Sequence, residues 1–172
     1  MALRELMALY GDYLLRTSYL LLKDRQAAEE AVQDTFVTAF YKIGQLQDPD
    51  KIKSWLTRIV VNRCRMSRRS WSWQRLLALA RPESAAELPD RTQNGPEEKL
   101  LLEWRDRRLT DAVRRLSYPY REVIALFYFN ELGIGEMSEL LAINGNTIKS
   151  RLARARSQLK RILEKEANED ER

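Results

Sequence analysis

The side chains best equipped for chemistry in this 172-residue chain are cationic, and they cluster. The stretch NGNTIKSRLARARSQLKRIL, Asn144–Leu163, holds Lys149, Arg151, Arg154, Arg156, Lys160 and Arg161, six cations within thirteen residues and no acid. Groups of that kind bind polyanions: Lys and Arg neutralise phosphate, and Arg also pairs bidentately with guanine. Spacing tells how they are presented. Ile148, Leu152, Ala155, Leu159 and Ile162/Leu163 recur at steps of four and three. At about 100° per residue they form one apolar face roughly 120° wide, the pattern of an amphipathic helix. Thr147, Ser150, Arg151 and Arg154 fall on the opposite side. Lys149, Arg156 and Lys160 line one flank, and Arg161 lies near the front. A lone basic helix is more often a solvated face than a binding surface, so its neighbours must decide.

Just before it, Ile134–Leu141 is an amphipathic helix of about two turns, and Ala142–Gly145 is a tight connection. A short helix, a turn of about four residues and a second helix with polar N-terminal residues make a helix-turn-helix. Ile143 is expected to plug the space between them, with the basic helix starting at about Asn146. Arg suits guanine, Ser and Thr suit bases or phosphates, and the flanking cations suit phosphate.

A second polar ridge lies in the first half. The helix Asp50–Arg69, capped by Asp50, turns Ile52, Trp55/Leu56, Ile59/Val60 and the Arg63 stem inward. Ser54, Arg58, Asn62, Arg65 and Arg69 then fall within about 80° of one another on its outer side, with Arg68 nearby. Taken alone, this ridge fits a DNA contact and a solvated face equally well. The preceding helix, Ala27–Ile43, buries Ala28, Val32, Thr35, Ala39 and Ile43. Its outer stripe is Glu30, Asp34, Val37 and Tyr41, with Gln33 at the margin. An acidic stripe with apolar members repels DNA and suits a protein.

Composition sets the limits. Hydrophobic residues make up 44%, with only six Gly and five Pro, so the chain can build helical cores. Its formal charge is +5, but the acids sit apart from the cations, in AEEAVQD, PEEKLLLE and EKEANEDER. One Cys (Cys64) and no His exclude an internal disulfide, a Cys/His metal site and histidine acid–base catalysis. There is no Gly-Lys-Ser/Thr phosphate loop, signal pattern or long apolar run. A soluble, cytoplasmic protein that is not an enzyme and needs no metal, cofactor or small-molecule substrate is expected.

The fold expected is all-α: two small helical domains joined by a flexible linker. Residues 1–70 form the first domain, with a helix over Leu3–Leu22 and Asp24 capping the next. Residues 71–95, with two Trp and two Pro, read as linker, although Gln74–Ala80 has some helical character. Residues 96–166 form the second domain: a helix from Pro96 to Leu116, one from Tyr120 to Asn130, and the helix-turn-helix. Residues 167–172 are an acidic tail.

Taken together, Asp24, AAEEAVQDTFVTAF, SWLTRIVVNRCRMSRR and YREVIALFYFNELGIGEMSELLAINGNTIKSRLARARSQLK resemble a bacterial sigma factor of the extracytoplasmic-function (ECF) type, in the sigma-70 family. That class keeps only the second and fourth sigma domains. The resemblance spans nearly the whole chain, and AEEAVQDTF is its most specific part. It implies that Glu30, Gln33, Asp34, Val37 and Tyr41 contact core RNA polymerase. It implies that Arg58, Asn62, Arg65, Arg68 and Arg69 read the −10 element, with an unstacked base in the loop Gln45–Lys51. It also implies that Thr147, Lys149, Ser150, Arg151, Arg154 and Arg156 read the −35 element. The partners implied are core polymerase, promoter DNA and an anti-sigma factor, often membrane-bound, that masks the polymerase-binding surfaces.

The chain departs from the family pattern in places. Ser117 stands where relatives have Pro, which comes here at 119; Ala142 replaces the turn Gly, Ser138 an Ala, and Met66 an Asp or aromatic residue. Trp71 and Trp73 have no counterpart to carry over and are expected to pack on the first domain rather than anchor the linker on polymerase. Reach also matters. Elements two helical turns apart lie about 70 Å apart, whereas a free linker of about 25 residues has an r.m.s. span near 28 Å. Reading both therefore needs a scaffold. Two rivals remain: a polymerase-independent helix-turn-helix regulator, which leaves the first half without purpose, and a metal-dependent nuclease, whose acids do not converge.

Overall fold

A computed structural model describes residues 2–80 and 107–171. Among the described residues every regular element is helical. The chain divides into two compact units, Met1–Glu98 and Lys99–Arg172.

The first unit is built on three helices: α1 (Leu3–Leu22), α2 (Arg25–Lys42) and α3 (Ile52–Ala80). α1 stops where Lys23 turns left-handed (φ 59°), its N–H returning to the Tyr19 carbonyl. Asp24 then starts α2, its carboxylate accepting from the Ala27 N–H at 2.9 Å, which satisfies a donor the new helix would otherwise leave open. α2 contributes Ala27, Ala28, Ala31 and Ala39 to the core. These small side chains let its neighbours approach closely, and the larger Leu14, Leu20, Leu21, Leu56, Val60 and Val61 fill the space between. Two polar ties pin the helices in register: Tyr13 to Thr57 at 3.1 Å, and Arg63 Nη2 to Thr38 Oγ1 at 2.9 Å.

Several expectations need correction here. Asp50 does not cap α3; Asp48 does the capping, accepting from the Asp50 N–H at 3.0 Å at the head of a 3-10 turn, Pro49–Lys51. Ile43, expected inside, leaves α2 for another 3-10 turn and is 39% exposed. Val32 is only half-buried, as are Trp55 and Ile59, while Val61 and Cys64 are fully enclosed. The largest difference lies at the end of α3. It passes Arg69 and runs to Ala80, so residues 71–80 are helix rather than linker. Nothing in that stretch breaks a helix, since its Pro residues come later.

The second unit contains α4 (Arg107–Arg115), α5 (Tyr118–Ile124), α6 (Ile134–Leu141) and α7 (Gly145–Asp170). The part of the expected Pro96–Leu116 helix before Arg107 lies outside the described residues, as does the rest of the linker. α5 begins at Tyr118, earlier than expected, with Ser117 at its N-cap and Pro119 in its first turn, where the missing N–H costs nothing. Buried Arg121 reaches back to the Leu116 carbonyl at 2.7 Å and closes the end of α4. α5 runs on as a π turn, Ala125–Phe129. α7 is longer than expected: residues 167–170 continue the helix, and Glu166 and Asp170 pair with Arg115 and Arg108 at 2.7 and 3.5 Å.

The helix-turn-helix rests on a strained residue. Ala142 ends α6 with φ 53° and ψ 44°, a conformation costing an L-residue about 1–2 kcal/mol. Ser138, the other departure from the family pattern nearby, holds the same turn. Its hydroxyl donates to the Ile143 carbonyl at 2.6 Å, and its own carbonyl accepts from the Ile143 N–H at 3.3 Å. Asn144 then caps α7, accepting from the Asn146 N–H at 2.8 Å. Ala142→Gly removes the strain but gives the unfolded chain more freedom, leaving a net stabilisation of about 0.5–1 kcal/mol. Ser138→Ala costs about 1 kcal/mol. Hydrogen exchange at the α6 amides should slow in the first variant and quicken in the second; equal rates in both would show that the turn is held by other contacts.

Candidate nucleic-acid and protein interfaces

On α7, Ile148, Leu152 and Ala155 are buried, and Leu159, Ile162 and Leu163 are half-buried along the expected stripe. Their burial fixes the rotation of the helix. Thr147, Lys149, Ser150, Arg154 and Arg156 are left exposed, and Arg151 half-buried. Ser150 turns its hydroxyl back to the Asn146 carbonyl at 3.0 Å, so its donor is already engaged. At Gly145 a Cβ would stand 3.4 Å from Ile134 Cγ2, an ordinary contact, so α6 and α7 meet there without requiring glycine. The front of the first turns is therefore Thr147 and Arg154, with Arg151 beside them and Lys149 on the flank.

On α3, Arg58, Asn62, Arg68 and Arg69 are exposed and Arg65 is half-buried. Ser54, at the head of the ridge, spends its hydroxyl on the Lys51 carbonyl at 3.0 Å. The expected ridge is thus presented to solvent on one rigid helix. Trp71 and Trp73 do not behave as expected. Trp71 is half-buried, but Trp73 is 62% exposed and, with Arg68, Arg69, Ser72 and Leu76, lines a recess on the helix surface. Packing on the first domain therefore fails for Trp73, because α3 carries it past the bundle.

On α2, Glu30, Gln33, Asp34, Val37 and Tyr41 are all exposed. Sequence reasoning missed Phe40, which is 59% exposed and meets Tyr41 edge to face with centroids 5.4 Å apart. The signal was available: Phe40 lies seven residues, two helical turns, from Gln33 and shares its edge of the stripe. The stripe is therefore more apolar than Val37 and Tyr41 alone suggest, and solvent-exposed apolar groups in one patch mark binding surfaces.

Comparison with known proteins decides what these faces belong to. Residues 6–74 match the model of Sigma-70 region 2, and residues 106–159 that of Sigma-70, region 4. The chain belongs to the sigma-70 family. It is a sigma factor of the ECF type, a subunit that directs promoter-specific transcription initiation by RNA polymerase. It is similar to the ECF RNA polymerase sigma factor SigW of Bacillus subtilis (strain 168), 26% identical over 94% of this chain and 89% of that one. It is also similar to the RNA polymerase sigma factor NccH of Alcaligenes xylosoxydans xylosoxydans, 29% identical over 79% of this chain and 73% of that one. Among solved structures, the sigma factor RpoE of Bartonella quintana, in complex with the anti-sigma factor NepR, has the same fold. There the TM-score is 0.68 and the identity 24%, with 94% of this chain and 96% of that one covered. CnrH, solved with the cytosolic domain of CnrY, superposes with a TM-score of 0.61 at 22% identity over 94% of this chain and 87% of that one. Region 2 on α1–α3 accounts for the half of the sigma factor that a bare helix-turn-helix regulator would leave unexplained.

Among the described residues of the sigma factor, no helix is long and apolar enough to cross a membrane. Arg154 is the guanidinium most directly presented at the front of α7. Arg154→Ala is expected to lower discrimination at one base pair by about 1–3 kcal/mol without unfolding the chain. Competition binding of holoenzyme to promoter variants reads this out; unchanged preference with uniformly weaker binding would assign Arg154 to phosphate instead.

Proposed function

We propose that the three exposed faces divide the work of promoter recognition. The acidic and apolar stripe of α2, with Glu30, Gln33, Asp34, Val37 and Tyr41 joined by Phe40, docks on core RNA polymerase. The α3 ridge, with Arg58, Asn62, Arg65, Arg68 and Arg69, meets the −10 element, and the loop Gln45–Lys51 receives an unstacked base. The front and flank of α7, with Thr147, Lys149, Ser150, Arg151, Arg154 and Arg156, meet the −35 element. The observation that carries this reading is the opposite character of the α2 and α3 faces within one bundle: carboxylates with exposed aromatic rings on one, guanidinium groups and an amide on the other. A polyanion is repelled by the first and attracted by the second.

Duplex opening on this reading needs no bond-breaking chemistry from the chain. Capturing a base that has left the stack shifts the equilibrium toward the open strand, and the binding free energy of that base drives the shift. The same logic makes polymerase the scaffold that holds two DNA-reading faces at promoter spacing, so the chain by itself binds promoters weakly. The sigma factor acts in the cytoplasm, and an anti-sigma protein regulates it, a partner supported by RpoE solved with NepR and CnrH with the cytosolic domain of CnrY; on this reading that partner covers the polymerase-docking faces.

Run-off transcription from a promoter library with bacterial core polymerase tests the whole assignment. Transcripts that appear only with this chain, downstream of a shared pair of motifs, are the expected result. Tight binding to a single palindromic site with no dependent transcript would favour a polymerase-independent regulator. Within that assay, Asp34→Arg places a cation in the docking stripe and is expected to weaken association with core polymerase roughly tenfold or more. Thermal unfolding should stay unchanged, since Asp34 is exposed. Undiminished association would remove α2 from the docking surface.

A further inference from the structure

Arg156 is held in a way that the other front and flank cations of α7 are not. Its Nε–H donates to the Tyr128 hydroxyl oxygen at 2.5 Å. Its guanidinium carbon stands 5.5 Å from the centroid of the Tyr128 ring and 5.7 Å from that of Phe127. The two rings meet edge to face, with centroids 5.0 Å apart. Both belong to the π turn Ala125–Phe129, closed by the Asn130 N–H on the Ala125 carbonyl at 2.9 Å. Widening the helix there keeps Ala125 and Leu126 in the core while Tyr128 emerges 52% exposed beside α7. Such turns occur disproportionately at functional sites.

Counting donors and acceptors shows what this arrangement lacks. The Tyr128 oxygen accepts from Arg156, so its own O–H proton must be donated elsewhere. Arg156 has committed Nε and retains both Nη groups, the tips of the fork that suits phosphate oxygens. Among the described residues, no carboxylate pairs with Arg156, whereas Lys160, one turn further along the same flank, has Glu164 at 3.8 Å. The Tyr128 O–H and both Arg156 Nη groups are therefore donors beside a positive charge, open to solvent and, among the described residues, without a carboxylate partner. Water takes those protons in the free chain, and an anionic oxygen is the acceptor that the charge favours.

We propose that Tyr128 and Arg156 form a single clamp for one backbone phosphate of duplex DNA, on the flank of α7. The Tyr128 hydroxyl both orients the guanidinium and offers its proton to the phosphate oxygen. The inference rests on the reading of α7 as the −35 helix and adds a residue outside the helix-turn-helix to that interface. Because the rings already hold Arg156, little side-chain freedom is lost on binding. The clamp contributes affinity and register and carries no sequence information.

The test uses holoenzyme assembled with core polymerase and promoter duplexes in which each −35 phosphate in turn is a neutral methylphosphonate. The unmodified protein should lose affinity when one particular phosphate is neutralised. Tyr128→Phe keeps the ring but removes the hydroxyl. It is expected to weaken binding about two- to tenfold on all promoter variants alike, the scale of one side chain left to be ordered. It should also reduce the sensitivity to that phosphate, leaving the part that the Arg156 charge still supplies. Arg156→Lys keeps the charge without the fork and should behave similarly, and the double variant should be no weaker than Arg156→Ala. A Tyr128→Phe holoenzyme with full affinity and the same phosphate sensitivity overturns the clamp, as does a change in base preference in place of a uniform loss. Arg154→Ala, measured alongside, separates the two levels: if it too leaves −35 binding untouched, the reading of α7 has failed rather than the clamp.

Discussion

Every outward group on α7 takes its direction from one buried contact line. Ile148, Leu152 and Ala155 are sealed against the rest of the second unit, and a helix so anchored cannot rotate without exposing about 2 kcal/mol or more of apolar surface per large residue. Since side chains repeat every 3.6 residues, burying one face determines the opposite one. Thr147 and Arg154 look outward for that reason, and the half-burial of Arg151 marks where the two faces meet. Which groups α7 offers to a partner is thus a consequence of packing. The same dependence explains why the polar front can be rich in arginine, since none of those groups has to be desolvated to form the core.

The first unit applies the rule to three helices at once. With a shared core of alanines from α2 and larger aliphatics from α1 and α3, each helix keeps one face for solvent, and those faces can differ in character. α2 carries Glu30 and Asp34 with Val37, Phe40 and Tyr41; α3 carries Arg58, Asn62 and Arg69. On the proposed reading, separating the two signs onto different helices lets one three-helix bundle touch a protein and a polyanion together. Mixing them on one face would have each partner repelled by groups meant for the other.

Much of this was legible in the amino-acid pattern because it depends on periodicity. Leu3–Leu22, the Asp24 cap and the short helix before Ala142 follow from apolar spacing and a capping residue, both local. The features that the pattern misses depend on information that is not local. α3 was expected to end at Arg69 because its apolar stripe loses its regularity there; the stripe reports a core partner, however, whereas helix continuation needs only the absence of a breaker. Capping by Asp48 rather than Asp50 turns on two residues and on whether a 3-10 turn precedes the helix, a distinction that periodicity does not encode. The contact of Arg156 with Tyr128 joins residues 28 apart through a π turn. No spacing rule within either helix predicts it.

The strain in the second unit has a mechanical meaning. Glu131 and Ala142 both adopt left-handed backbone, at φ 56° and 53°, and they bracket α6 on either side. A helix of eight residues is too short to hold itself together in water. Met137, Leu140 and Leu141 anchor it to the core and fix its rotation, but a contact so short leaves the direction of its axis loosely set. The sharp left-handed turns remove that freedom, because each sets the direction in which the chain enters or leaves. Ser138 secures the later turn from inside α6, so the angle between α6 and α7 is set by bonds that cross the turn itself. A looser connection would save the local strain of about 1–2 kcal/mol at Ala142. It would also let Arg154 sample many positions relative to a groove and transfer that ordering cost to the moment of binding. Strain held permanently in the turn is, on this view, the means by which the second helix meets DNA already aimed.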